Sequence, residues 1–207
     1  MGPQEGTAGV TPQELRCGGL VCPLGVDLPA PSLSWQVDDA AAAPARALEQ
    51  VAYRVLVASS AERLARDEGD LWDSGRVVGG RSVDIRYGGK PLPSRQRCWW
   101  KVRIWTRRAG ARRVTAGPWS APSWWEMGLL READWQAQWI GHPDSRKEAE
   151  GGRAPLFRRE FAIAQSVVAA RAYLCGLGYA ELYVNGAKVG AGEFAAAIKL
   201  AVGTRLA

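Results

Sequence analysis

Apolar and polar residues alternate along much of this chain with a period of two, the pattern of half-buried strands. In residues 31–37, Leu33, Trp35 and Val37 alternate with Ser34 and Gln36. Residues 51–58 repeat it, with Val51, Tyr53, Val55 and Val57 on one side and Ala52, Arg54, Leu56 and Ala58 on the other. The clearest run is 98–106. Cys98, Trp100, Val102, Ile104 and Thr106 share one face, predicted to enter a core, while Trp99, Lys101, Arg103, Trp105 and Arg107 form an aromatic and basic ladder opposite. Shorter strands are expected at 15–21, 71–74, 82–87 and 119–125. Pro122 places the last at an edge or bulge, because it cannot donate to a ladder.

Turn residues punctuate these runs. Gly88, Gly89, Pro91 and Pro93 form one cluster, and Gly110 and the Gly117–Pro118 pair mark further turns. Ser59 or Ser60 can cap one or two helical turns through Arg66, with Glu62 three residues after Ser59, and Gly69 is expected to end them. Pro44 makes 38–47 a loop. About seven short strands in just over one hundred residues predict an all-β sandwich. Strand pattern resumes at 156–163 and 167–174. Residues 179–189 read as a hairpin around Asn185–Gly186, the pair favoured in a type I′ turn. The alanine-rich stretch 194–202 reads as helix. The resulting division is a flexible leader at 1–14, a sandwich at 15–127, a linker at 128–154 and an incomplete second β domain at 155–207.

The composition of the 207 residues removes several function classes. Hydrophobic residues are 47% and charged residues 23%, a globular balance. There is no run of eighteen apolar residues to span a membrane, and no apolar signal-peptide core near Met1, so a cytoplasmic location is expected. The four cysteines, Cys17, Cys22, Cys98 and Cys175, lack metal-ligand spacing, and the one histidine, His142, precedes a proline. No dinucleotide fingerprint or nucleophile turn is present, so no cofactor, metal or catalytic residue is assigned. A glycosidase would need two carboxylates across a cleft. Asp67, Glu68, Asp70 and Asp73 read instead as turn residues, and Glu181 as part of the hairpin.

The net charge of +6 is spread along the chain, although Arg97–Arg113 holds seven bases and no acid. With Trp99 and Trp105 interleaved, this stretch could stack bases and attract phosphate, but it lacks any recognised nucleic-acid motif. Trp99 and Trp105 are equally candidate platforms for a sugar ring. Trp135 and Trp139, four residues apart, are candidates for interdomain packing.

The ordered segments 15–17, 22–27, 31–35, 52–60, 70–75, 99–105, 119–120, 124–130, 134–141, 157–161 and 176–190 resemble the N-terminal accessory region of bacterial α-L-rhamnosidases. Leu33-Ser34-Trp35, Asp70-Leu71-Trp72-Asp73-Ser74-Gly75 and Leu182-Tyr183-Val184-Asn185-Gly186 carry much of the likeness. It implies a fibronectin-type-III-like sandwich followed by a partial accessory β-sandwich. Family members cleave terminal rhamnose using acidic residues of a later (α/α)₆ barrel, which would require several hundred more residues. The expectation is therefore a noncatalytic fragment that supports such a barrel or positions a glycoside. Its expected partners are that barrel and rhamnose-containing glycosides. Two departures stand out: Cys98 occupies a position usually aromatic, and the likeness stops after Gly190. The rival readings are an independent carbohydrate- or protein-binding module and weak nucleic-acid binding.

Overall fold

A computed structural model describes residues 10–37, 48–108, 110–141, 155–164, 166–167, 169–176, 180–189 and 200–204, the last segment as backbone only. Its strands are β1 (Pro12–Cys17), β2 (Ser32–Val37), β3 (Leu48–Ala58), β4 (Trp72–Asp73), β5 (Val77–Val78), β6 (Ile85–Arg86) and β7 (Arg97–Arg108). They continue with β8 (Val114–Trp119), β9 (Ser123–Glu126), β10 (Ala170–Leu174), β11 (Tyr183–Val184), β12 (Ala187–Lys188) and β13 (Leu200–Thr204). A short helix, α1 (Ala61–Ala65), interrupts them.

A three-stranded sheet of order β1-β2-β6 faces a six-stranded sheet of order β4-β3-β7-β8, in which β5 joins β3 and β9 joins β7. The fold is an immunoglobulin-like all-β sandwich. Its core follows from the alternation. Leu15, Cys17, Leu33, Trp35, Ile85 and Tyr87 from one sheet meet Val55, Val57, Cys98, Trp100, Val102, Ile104 and Trp125 from the other. Burying each large aliphatic side chain here contributes about 1.5–3 kcal/mol. Trp35 donates from Nε1 to Gln50 Oε1 at 3.0 Å, and Gln50 Nε2 donates to Arg81 O at 2.8 Å, a polar bridge across the sandwich.

On the other side of β3 lies a smaller apolar cluster of Leu56, Ala58 and Leu64, with Trp99 and Trp119 against it. Leu64 comes from α1, so the large sheet is covered on both faces at that end. Ser60 caps this helix by accepting from the Arg63 N–H at 3.3 Å, while Ser59 instead bonds Asp70. The helix ends at Ala65, ahead of the expected Gly69, with Arg66 as its C-cap and Asp67 just beyond at a positive φ of 60°.

Several expected boundaries move. The first strand begins at Pro12 instead of within 15–21, because it pairs with β2 from Pro12↔Val37 onward. Gly117 is not a turn residue. It sits inside β8, where a Cβ would come within 2.2 Å of the Val10 carbonyl oxygen. Residues 119–125 are not one strand either, since Ser120–Pro122 separates β8 from β9. There the Val102 N–H donates to Ser120 Oγ at 3.1 Å, replacing a ladder partner beside the donorless proline. The core also runs past 127, for Leu129 is buried.

Beyond the sandwich, 155–164 forms no strand, and only Ala170–Leu174 of the second expected stretch does. The hairpin is present, with Asn185 and Gly186 at φ 49° and 82° between β11 and β12. Residues 200–204 are strand, pairing with β10, so the last three residues of the stretch expected as helix, 200–202, are strand instead. The 38–47 loop and residues 194–199 lie outside the described residues.

Candidate functional site

The outer face of β7 is built as the alternation requires, and its rings are already in contact with cations. Trp105 lies under the Arg76 guanidinium, 4.9 Å from the ring centroid, with Arg103 at 6.0 Å. Lys101, Arg103 and Arg54 surround Trp119 at 5.1, 5.8 and 5.9 Å. Trp99 tilts against Trp124 at 6.5 Å, and Arg97 covers Trp124 at 4.6 Å. Such contacts shield indole faces from water and are worth about 0.5–1 kcal/mol each when exposed. Trp99 and Trp105 are both half-buried.

Lys101, Arg54 and Arg103 have second partners. Lys101 Nζ, buried, donates to the Leu64 carbonyl at 2.7 Å and to the Asp67 carboxylate. Arg54 donates to both oxygens of Asp73, at 2.9 and 2.6 Å, and Arg103 Nε donates to Gly117 O at 2.7 Å. Arg107 donates to Glu49 at 2.9 Å. Thus Arg97, Lys101, Arg103 and Arg107 of the basic stretch are engaged, while Arg108, Arg112 and Arg113 are exposed.

A second constellation joins sequence-distant segments. Glu126, only 8% exposed as a side chain, accepts from Arg97 Nη2 at 2.8 Å and from Arg171 Nε at 2.7 Å. Further bonds run from Arg97 Nε at 3.1 Å and Arg171 Nη2 at 3.1 Å. Nearby, Arg95 lies 5.3 Å over the Tyr173 ring. Burial alone would raise the Glu126 pKa, but the hydrogen bonds and charges of Arg171 and Arg97 outweigh it and hold the carboxyl below its ordinary value. β10 is thereby fastened to the edge of the sandwich at β9. Nothing local in Trp124-Trp125-Glu126-Met127 announces this, since Arg171 is 45 residues away. The only signal was an acid placed on a strand otherwise made of large apolar residues.

The carboxylates considered for catalysis are separately occupied. Asp70 accepts from Ser59 N at 2.9 Å and Ser59 Oγ at 2.7 Å, Asp73 pairs with Arg54, and Glu68 with Arg66. Glu181 accepts from Tyr183 Oη at 2.7 Å and from Lys188. Hydrogen bonding to Arg54 holds Asp73 below the usual carboxylate range. Among the described residues, no group of three His, Cys, Asp or Glu side chains could hold a metal ion, and no helix is long and apolar enough to cross a membrane.

Cys17 and Cys98 are buried thiols in the core, and Cys22 and Cys175 are partly buried; all four are free. Trp135 is half-buried at the end of a short 3₁₀ turn, Glu132–Asp134, whereas Trp139 is 69% exposed. The two share no ring contact among the described residues. His142 lies outside the described residues.

The fold and its ion-paired outer face define an immunoglobulin-like β module, fastened to the segment downstream of it. Residues 12–131 match the model of the Rha78A-like, N-terminal immunoglobulin domain. The chain belongs to that family. It resembles the alpha-L-rhamnosidase of Streptomyces avermitilis, 48% identical over 127 residues, covering 61% of this chain and 11% of that protein. One from Formosa agariphila is 32% identical over 187 residues, 81% of this chain and 19% of its own length. The solved alpha-L-rhamnosidase of Dictyoglumus thermophilum superposes with a TM-score of 0.71 at 34% identity, covering 86% of this chain and 20% of that one. The chain therefore corresponds to an N-terminal portion of larger alpha-L-rhamnosidase-like proteins. It spans between 11% and 20% of the curated relatives it matches.

Proposed function

We propose that this chain is a noncatalytic accessory module of an α-L-rhamnosidase-like glycoside hydrolase, acting as a scaffold that fixes how downstream domains are set against its sandwich. The carrying observation is Glu126, clamped between Arg97 of the sandwich and Arg171 of β10. A buried carboxylate with two guanidinium partners from separate segments has one well-satisfied geometry, so it supports a fixed docking angle. The individually occupied carboxylates support the noncatalytic part of the reading, because inverting or retaining hydrolysis needs two that face one bond.

Within the immunoglobulin-like class, we read the sandwich as fibronectin-type-III-like. The support is the three-stranded β1-β2-β6 sheet, with β4 on the β3 edge of the larger one. Residues after 155 are read as the beginning of an accessory β-sandwich.

The test assays this chain on an aryl α-L-rhamnoside beside an intact relative and the same relative lacking the region equivalent to 12–131. The expected result is no turnover by this chain and a lowered Tm in the shortened relative. Robust turnover that survives repurification, or an unchanged Tm after deletion, would overturn the proposal.

A further inference from the structure

A groove opens where the edges of the two sheets diverge, lined by Tyr53, Trp72, Arg81, Asp84, Ile85 and Arg86. Its volume is about 350 Å³. That is near the lower end of the ~300–1,000 Å³ usual for small-molecule sites and suits a single ring. None of these residues belongs to the Trp face or to the Glu126 clamp.

The groove is held rigidly from both sheets. Trp35 N donates to Ser82 O at 2.9 Å from β2, and Gln50 Nε2 donates to Arg81 O at 2.8 Å from β3. Trp72 is braced edge-on by Tyr87, with ring centroids 5.5 Å apart. Gly89 lets the backbone approach Trp72, since a Cβ there would come within 2.5 Å of the Trp72 Cβ and 2.3 Å of the Leu71 carbonyl oxygen. Asp84 takes a positive φ of 53°, a conformation that costs energy in a non-glycine residue and that clusters at ligand sites.

The polar groups of this rigid groove are left with capacity. Asp84 faces Arg81 and Arg86 at 3.9 and 3.7 Å, ion-pair distances too long for hydrogen bonds. All three side chains are more than half exposed. The Trp72 indole N–H and the Tyr53 hydroxyl make no hydrogen bond among the described residues. An acceptor carboxylate, two guanidinium donors and two aromatic rings with free N–H and O–H groups thus share one small concavity. Vicinal hydroxyls fit a carboxylate beside a guanidinium, and the C–H face of a sugar ring fits an indole edge or face. An anion fits less well, because Asp84 stands between the two arginines.

We infer that this groove is a binding site for one ring of a neutral glycoside, held by Asp84 and Arg86 against Trp72 and Tyr53. The inference goes beyond the scaffold reading and takes only its probe from the family. The test titrates the 207-residue chain with methyl α-L-rhamnopyranoside and follows the Trp72 indole N–H and the amides of 81–87 by NMR. Saturable, millimolar shifts confined to those signals are expected. Asp84→Asn and Arg86→Gln, both at exposed positions, should each weaken binding about tenfold without disturbing the remaining spectrum. Trp72→Phe should weaken it while retaining the fold.

Shifts that never saturate, or saturation indifferent to Asp84→Asn and Arg86→Gln, would overturn the inference. So would saturation of the same signals by sulfate without response to the glycoside, which would mark an anion site. Any of these results leaves the scaffold reading standing, since turnover and deletion stability test it separately.

Discussion

Cys17, Cys98 and Tyr87 show most directly what the core does to individual residues. Burial pushes all three up to about 12, from ordinary values of 9.0 for the thiols and 10.0 for the phenol. The native state keeps protons that the unfolded chain releases, so stability is complete below about pH 9 and declines toward pH 12. Urea unfolding between about pH 8 and 11 should show this decline, and Cys98→Val, close in volume, should flatten it. Thiol labelling gives a second check. Cys17 and Cys98 should react only on unfolding, after the partly buried Cys22 and Cys175. The inward position of Cys98 was legible because strict alternation assigns every second residue to one face. The occupation of Trp105 was not, because Arg76 reaches it from another segment.

Individual elements were legible where local chemistry and pairing agree. Asn185–Gly186 needs positive φ and has it, and β3 and β7 are long enough for their alternation to register. β4 and β6 lie within the strands expected at 71–74 and 82–87, whereas β5, two residues long, offers no period to read and exists only because β3 pairs with it. Residues 200–202 show the opposite conflict, alanine-rich surroundings suggesting helix while pairing with β10 imposes strand. Gly117 reads as a turn until Val10 is seen crossing over it. Gly117→Ala should therefore cost about 1–3 kcal/mol through overpacking. Hydrogen exchange should show lost protection concentrated at β1 and β8. Ser60→Ala, removing the cap of α1, should cost about 1 kcal/mol by thermal unfolding, whereas Ser59→Ala should act on the Asp70 turn instead.

At the scale of the molecule, the sandwich was legible as a class, but its attachment to the segment around β10 was not, because ion pairs between distant residues leave no periodic trace. Glu126→Gln should cost about 2 kcal/mol at neutral pH by leaving donors of Arg97 and Arg171 poorly matched. Water reaching the 37%-exposed Arg97 side chain should hold the loss near that figure. Because the Glu126 carboxyl is held below its ordinary value of 4.5, its contribution is present above that pH and is lost on acidification. The variant should accordingly lose stability less steeply below about pH 4 and expose 170–174 to hydrogen exchange.

Sharing one carboxylate between the sandwich and β10 also means that the two cannot be parted cleanly. A polypeptide severed at 131 would retain Glu126 and Arg97 but forfeit Arg171. Its carboxyl would then take up protons at a higher pH than in the uncut molecule. The isolated domain should melt at a lower temperature near neutral pH, and the gap from the longer chain should narrow on acidification.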